Sequence, residues 1–300
     1  MRNEWKAIIL PITRRELPGW GRVLHMIGRT GYEHDHQWAD APVKVIRGKE
    51  HGYLMELDLT DWSCRITYFL GRFYELHVLR LLDEMLEPGD RFVDIGANVG
   101  MVALHASHLV GASGTVQCFE PNPRCRERLG RMIEMNAIEN IRVYPFGLSD
   151  QADTLELKQN HSYTGIGTFA DVDPESVVST TSAEVCRGDD VFFDDEEPTP
   201  KMVKIDVEGF ELRAVRGMEQ TLRRWGCPVI MEMDEHHLQR AHTSSAEVYA
   251  IMSSMGYAPF RIGTRRHGFR HMLELTPIAG PEGLADDRCH DVLWKRSGNE

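Results

Sequence analysis

Two stretches late in the chain concentrate groups able to move a proton. The first is Lys204–Glu211 (KIDVEGFE), where Lys204, Asp206 and Glu208 lie at the end of an apolar run and Gly209 follows. The second is Glu232-Met233-Asp234-Glu235-His236-His237, at the end of the next apolar run. If both runs are neighbouring strands, they deliver carboxylates and imidazoles to one crevice. Such a set can take the proton from a hydroxyl nucleophile, a contribution of roughly 10²–10⁴-fold. Like charges held together raise one carboxyl pKa and favour that base chemistry. The same oxygens could instead hold Mg²⁺ and polarise the hydroxyl. The candidates are Asp206, Glu208, Glu232, His236 and His237. Asp206 with Glu208 is the expected centre, assisted by Glu232 or His236, and no dedicated metal-ligand set is assigned.

A cofactor signal precedes them. Phe92–Gly100 (FVDIGANVG) is an apolar run that reaches Asp94, then Gly96, Asn98 and Gly100, then a helical segment. Glycines at such a turn allow positive φ and close backbone approach. The helix start behind them offers unpaired N–H groups. A nicotinamide-binding turn would read G-x-G-x-x-G. Here the spacing is G-x-x-x-G, with an acid two residues ahead of it. That acid would repel a pyrophosphate but suits the ammonium of a methionine moiety. Glu120, at the end of the next run (CFEPNP), can accept both hydroxyls of a ribose. Together Asp94, the glycine turn and Glu120 point to S-adenosylmethionine. The turn after the third run, Phe146–Asp150 (FGLSD), adds Gly147, Leu148 and Ser149 as candidates beside an adenine.

These positions require strands ending at one edge. From about Arg91 the chain alternates β-rich runs with helical periodicity, which implies an α/β fold with a largely parallel sheet. The expected strands are Arg91–Ile95, Thr115–Glu120, Arg142–Gly147, Met202–Val207, Pro228–Asp234, Tyr257–Ile262 and Asp291–Arg296. Asn122 and Pro123 read as the cap and first turn of a helix. Leu212, Val215, Met218, Leu222 and Trp225 share one face of a single helix over Glu211–Trp225. Ser244 with Glu247 forms a capping box for another that ends at Gly256. Two regions break the alternation. Residues 1–75 form a separate N-terminal cap segment with a hairpin (Val43–Ile46 and Tyr53–Leu59) ahead of the main domain, 76–300. Within 151–200, the acidic stretch Asp189–Pro200 reads as solvated surface.

Composition narrows the function class. The chain has 300 residues, 42% hydrophobic and 27% charged, which is ordinary globular composition. A net charge of −12 argues against a nucleic-acid binder, and no N-P-P-Y-like turn follows the fourth run. The six cysteines form no C-x-x-C pair, so neither a disulfide framework nor a zinc site is expected, and a cytoplasmic location suits them. No stretch is apolar for long enough to span a bilayer, and Trp5–Ile12 does not read as a signal peptide. A lightly basic helix over Gly19–Gly28 could pack on the body, on a partner subunit or on a membrane surface, so homo-oligomers through this segment are open. Arg261–His271 (RIGTRRHGFRH) gathers Arg261, Arg265, Arg266 and Arg270, which form either a solvated hairpin tip or forks that suit an anionic acceptor such as a phosphorylated, carboxylated or nucleotide-linked sugar.

At these motifs the chain resembles the FkbM family of S-adenosylmethionine-dependent methyltransferases, over roughly Ile66 to Tyr257. The resemblance rests on ITYFLGRFYE, FVDIGANVG, CFEPNP, FGLSD, KIDVEGFELRAVRG and the run ending in Glu232. It implies a class I, Rossmann-like fold with a seven-stranded sheet whose last strand is antiparallel. It also implies O-methylation of a small-molecule hydroxyl, on a sugar or a secondary metabolite. Carried onto this chain, Asp94, Gly96, Asn98, Gly100, Glu120 and Asn122 would line the cofactor, and Asp206 and Glu208 would belong to the reaction centre. The rival readings are a nicotinamide-dependent oxidoreductase and a non-catalytic binding protein on a methyltransferase fold.

Overall fold

The run Arg91–Ile95 lacks polar alternation because both faces of the sheet it enters are covered, and Phe92, Val93 and Ile95 are fully buried. The computed structural model describes residues 4–160, 167–267, 270–285 and 291–296. A hairpin of β1 (Val43–Arg47) and β2 (Leu54–Asp58) precedes the body. Then follow β3 (Arg91–Ile95), β4 (Thr115–Phe119), β5 (Ile141–Tyr144), β6 (Gly147–Ser149), β7 (Asp153–Asn160), β8 (Gly167–Thr168) and β9 (Val177–Arg187). The chain continues through β10 (Met202–Ile205), β11 (Val229–Glu232), β12 (Tyr257–His267), β13 (Arg270–Pro277) and β14 (Asp291–Arg296).

The main sheet runs β13-β12-β14-β11-β10-β3-β4-β5, and β14 and β13 run against the others. It therefore holds eight strands where seven were expected. The extra one arises because the arginine-rich connection is a hairpin: β12 extends to His267 and turns back as β13. The side chains of Arg266 and Arg270 and residues 268–269 lie outside the described residues. Arg261 and Arg265 sit on this edge hairpin, opposite Thr276 and Met272.

The strand order reverses between β3 and β10, which opens a crevice at their carboxyl ends. Helices Leu76–Met85, Met101–Val110 and Pro123–Met135 cover one face. Helices Glu211–Gly217, Glu219–Trp225 and Ser245–Ser254 cover the other. The single helix expected over Glu211–Trp225 is broken at Met218, where φ reaches −116°. Gly217 sits just before that break, pressed against β6: a Cβ there would lie 1.8 Å from the Ser149 carbonyl oxygen.

The described residues of region 151–200 carry regular structure of their own. Strands β6-β9-β7-β8 form a second sheet, with β6 parallel to β9. The acidic stretch exposes Asp190, Asp194 and Glu196 to solvent as expected, but it is anchored at other positions. Asp189 is buried and accepts the Thr221 and Gln220 N–H groups at 2.8 and 3.3 Å, and Asp195 pairs with Arg91 at 2.7 Å. The hairpin of the N-terminal segment is held to the body by Asn136, whose side chain bonds Leu54 N and O at 2.7 and 2.8 Å. No helix among the described residues is long and apolar enough to cross a membrane.

The Gly217 contact yields a first prediction. Gly217→Ala should destabilise the protein by about 1–3 kcal/mol through overpacking, read as a lower urea midpoint. An unchanged midpoint would show that the helix can shift away from β6 at no cost.

Candidate functional site

Strands β3 and β10 are in register with Asp94 opposite Lys204 and Ile95 opposite Ile205. This pairing places one ammonium between two carboxylates. Lys204 Nζ lies 2.8 Å from Asp206 Oδ2 and 3.7 Å from Asp94 Oδ1. Burial opposes the charge on Lys204, but Asp206 and then Asp94 outweigh it, and its pKa is raised. Asp94 has no exposed surface, its oxygens have no hydrogen-bond partner, and burial raises its pKa. It stands behind the turn and is not one of the residues lining the cleft.

The glycines of that turn face protein. Gly96 has φ +80°, and a Cβ on it would meet the Asp206 carbonyl oxygen at 1.8 Å. A Cβ on Gly100 would meet Leu129 at 2.3 Å. Their first role is therefore to let the β3 turn nest against the β10 turn and the helix Pro123–Met135. Asn98 is left-handed without being glycine (φ +50°), and its side-chain oxygen accepts the Val99 N–H at 2.7 Å. Glu120 bridges the turn to the end of β4: its two oxygens accept the N–H groups of Asn98 and Asn122, both at 2.7 Å. Burial pushes its pKa up, the two N–H bonds restrain it, and it reaches about 7. Asn122 is buried and caps the helix by accepting the Arg124 N–H at 3.0 Å.

The cleft has two lobes that share Gly96, Asn98, Asp206 and Glu208. One lobe is walled by Glu120 and Pro121, by Gly147 and Leu148 of β6, and by Leu157, Gly167 and Phe169 of the second sheet. Ser149 is buried, and its hydroxyl turns to Asp150 at 3.1 Å rather than into the lobe. The other lobe is walled by Lys204, Glu232 and Glu75, and by Ser63, Cys64, Thr67, Phe73 and Tyr74 of the N-terminal segment.

The turn after β10 is fastened from three sides. Glu211 Oε1 accepts the N–H groups of Val207 and Gly209, each at 3.1 Å. Thr168 of the second sheet donates to the Glu208 carbonyl at 2.8 Å. Glu208 itself is left-handed (φ +54°), and its carboxylate meets His237 Nδ1 at 3.0 Å. Glu232 Oε2 lies 3.9 Å from the same nitrogen. Burial lowers the His237 pKa, but the Glu208 bond together with the charges of Glu208 and Asp234 outweighs it, and the net shift is upward. Burial and the charges of Asp206 and Glu208 push Glu232 well up. Burial, Asp291 and Asp206 do the same to Glu75.

The structure thus gathers Asp206, Glu208 and Glu232, but it substitutes His237 for the expected His236. Asp234 caps the helix Glu235–Arg240 by accepting the N–H groups of both histidines, and that first turn leaves His236 exposed while His237 faces Glu208. Two further acids escaped notice as site residues. Glu75 comes from the segment before β3, which no strand-end rule covers. Glu211 lies inside the motif, but its turn-holding role depends on a backward bond. Glu208, Glu232 and His237 each bring a ligand atom within 4.8 Å of the others, a spacing that could hold a cation.

Residues 94–259 match the family described as Methyltransferase FkbM domain. The chain is 30% identical over 149 residues to the hexuronic acid methyltransferase AglP of Haloferax volcanii, covering 50% of this chain and 58% of that protein's own length. It is 28% identical over 238 residues to the 31-O-demethyl-FK506 methyltransferase FkbM of Streptomyces tacrolimicus, covering 71% and 83%. Among solved structures it aligns with a methyltransferase FkbM from Methylobacillus flagellatus KT at 16% identity, over 78% of this chain and 52% of that one, with a TM-score of 0.40.

The buried Glu211 carries a pH signature. Burial pushes its pKa up, the backbone N–H bonds restrain it, and it reaches about 7. The folded state therefore holds this proton more tightly than the unfolded state. The resulting stability is present below about pH 4.5 and is lost as pH rises to about 7, on the order of 3 kcal/mol for such a shift. Glu211→Gln should remove that decline from the pH dependence of urea unfolding. An unchanged slope would show that Glu211 keeps an ordinary carboxylate pKa.

Proposed function

The chain belongs to the FkbM family of methyltransferases, and from that premise we propose that it transfers the methyl group of S-adenosylmethionine to a hydroxyl of a small molecule, a sugar or a secondary metabolite. The observation that carries the reading is the two-lobed cleft, whose lobes meet at Gly96, Asn98, Asp206 and Glu208. A cofactor in the lobe of Glu120 and Leu148 would present its sulfonium at that junction. The acceptor would then approach past Glu75, Tyr74 and Glu232. Family membership gives the nicotinamide reading no support.

In this proposal Glu120 holds the ribose with the lone pairs its two backbone bonds leave free. The Asp94–Lys204–Asp206 set holds the turn that receives the methionine end, and Gly147 and Leu148 flank the adenine. Glu208 is the base. Its carboxylate takes the acceptor's hydroxyl proton while the oxygen attacks the methyl carbon. The new O–C bond forms as the S–C bond breaks, and the electron pair of that bond stays on sulfur as a neutral thioether. His237 is a positioning residue that orients Glu208. Glu232, with its pKa pushed up, keeps its proton and donates a hydrogen bond rather than competing as base. A sulfonium beside several carboxylates is electrostatically favoured, and in-line alignment supplies much of the rate.

Calorimetric titration tests the cofactor assignment: S-adenosylmethionine and S-adenosylhomocysteine should bind, and NADH should not. Ribose hydroxyls donate to Glu120 and favour its ionised form. Cofactor affinity should therefore rise as pH passes upward through about 7, with proton release on binding, and Glu120→Gln should lose that dependence. A pH-independent affinity in the parent protein would remove Glu120 from the site.

Glu208→Gln should lower kcat by roughly 10²–10⁴-fold while changing S-adenosylhomocysteine affinity less than about threefold. Full turnover in that variant would eliminate it as the base. A cation held by Glu208, Glu232 and His237 is the second reading, favoured by their spacing. Activity lost on chelation and restored by Mg²⁺ or Mn²⁺ would establish it, and unchanged activity would exclude it.

A further inference from the structure

A groove of about 900 Å³ lies in the N-terminal segment, outside the cleft just described. Its apolar lining is Trp38, Leu59, Tyr68, Phe69 and Ile27, and Met26, 70% exposed, stands at its mouth. Its polar lining holds the cations Lys6, Arg29 and Lys44 together with His36 and Gln37, and Asp40 is the acid among them. This is the reverse of the protein as a whole. Residues 1–50 sum to +3, whereas the remainder carries −15.

The wall of the groove is built around one indole. Trp38 is 2% exposed, donates its ring N–H to the Arg29 carbonyl at 2.9 Å, and packs edge-on against Phe69. Two cations rest on its ring: Lys6 Nζ at 4.4 Å and the Arg65 guanidinium at 5.7 Å from the centroid. Arg65 is paired with Asp35. Lys6 is 3% exposed, and its ammonium has no hydrogen-bond partner. Burial and the nearby charges of Arg29 and Arg65 all work against that ammonium. A buried cation without a counter-charge is costly, and an anion supplied from outside would relieve that cost.

We propose that this groove binds an amphiphilic anion, an apolar chain or ring system carrying one phosphate or carboxylate. The charged end would pair with Lys6 and the Arg29 fork, and the apolar body would lie against Tyr68, Ile27 and Met26, which keep exposed surface above the buried Trp38 and Phe69. A concavity of this volume matches small-molecule sites rather than a flat contact. The helix Trp62–Leu70 separates it from the proposed acceptor lobe: Tyr68 and Phe69 line the groove, and Ser63, Cys64 and Thr67 line the lobe.

The full-length chain titrated with dodecyl phosphate below its micelle concentration should show one saturable site. Inorganic phosphate should give no saturable heat, and dodecyl maltoside, with the same chain and no charge, should bind at least about tenfold more weakly. Lys6→Met and Arg29→Gln should each weaken dodecyl phosphate by a similar factor. The groove-filling Ala41→Trp should abolish binding with every cation still in place, and each variant is accepted only if its unfolding transition is retained. Equal binding of the neutral detergent, or undiminished binding in both Lys6→Met and Ala41→Trp, would overturn the proposal. Binding to phosphatidylglycerol vesicles without binding of dodecyl phosphate would also overturn it, in favour of a membrane-docking surface.

Discussion

The contact between Lys204 and its two carboxylates is the constraint from which the cleft is built. Strand register puts Asp94 and Lys204 side by side on β3 and β10, and the chain brings Asp206 back to the same ammonium two residues later. Removing one partner of a buried pair typically costs about 3–5 kcal/mol, because the other is left without compensation. Neither strand end can therefore move independently of the other. Gly96 completes the lock: its missing side chain lets the Asp206 carbonyl sit where a Cβ would be. The junction of the two lobes is thus made by backbone proximity and one shared cation rather than by a flexible loop.

Around that junction the protein collects more negative charge than it neutralises. Glu75, Asp206, Glu208 and Glu232 all line the second lobe, with Lys204 as the cation among its lining residues and His237 behind Glu208 and Glu232. The price of this crowding is visible in the upward shifts of Glu75 and Glu232. Environment thereby separates chemically similar carboxyl groups into different proton-holding states, the general route by which one site obtains an acid and a base.

The N-terminal segment is more than a cover. The helix Trp62–Leu70 is capped by Asp61, which accepts the Ser63 and Cys64 N–H groups, and it contributes one face to the second lobe of the cleft and another to the cationic groove. Thr13 donates to the Phe69 carbonyl at 2.6 Å, and Arg72 pairs with Glu16 at 2.9 Å, so the C-terminal end of that helix is tied to the segment around Thr13–Glu16. A nine-residue helix that borders two cavities is a physical link between them.

Much of the architecture follows from local sequence alone. The buried run Arg91–Ile95, the Asn122–Pro123 helix start and the Ser244 cap are set by side chains acting on their own neighbourhood, and each lies where its residue types place it. The motifs around Asp94, Glu120 and Asp206 also announce which strand ends matter, because strand periodicity and chain order suffice for that. What local sequence does not contain is decided by distance. The break at Met218 follows a glycine pressed onto β6, a contact across about seventy residues of chain. The acidic stretch gives no sign of its anchors, Asp189 and Asp195, until the Thr221 N–H and Arg91 are brought beside them. His237 rather than His236 faces the carboxylates because of a one-residue phase on a short helix, and adjacent identical residues carry no phase. Glu75 joins the cleft only when the segment before β3 folds back over it. Residue type therefore determined the elements and the kind of chemistry, whereas packing over long separations decided which groups meet and in which protonation state.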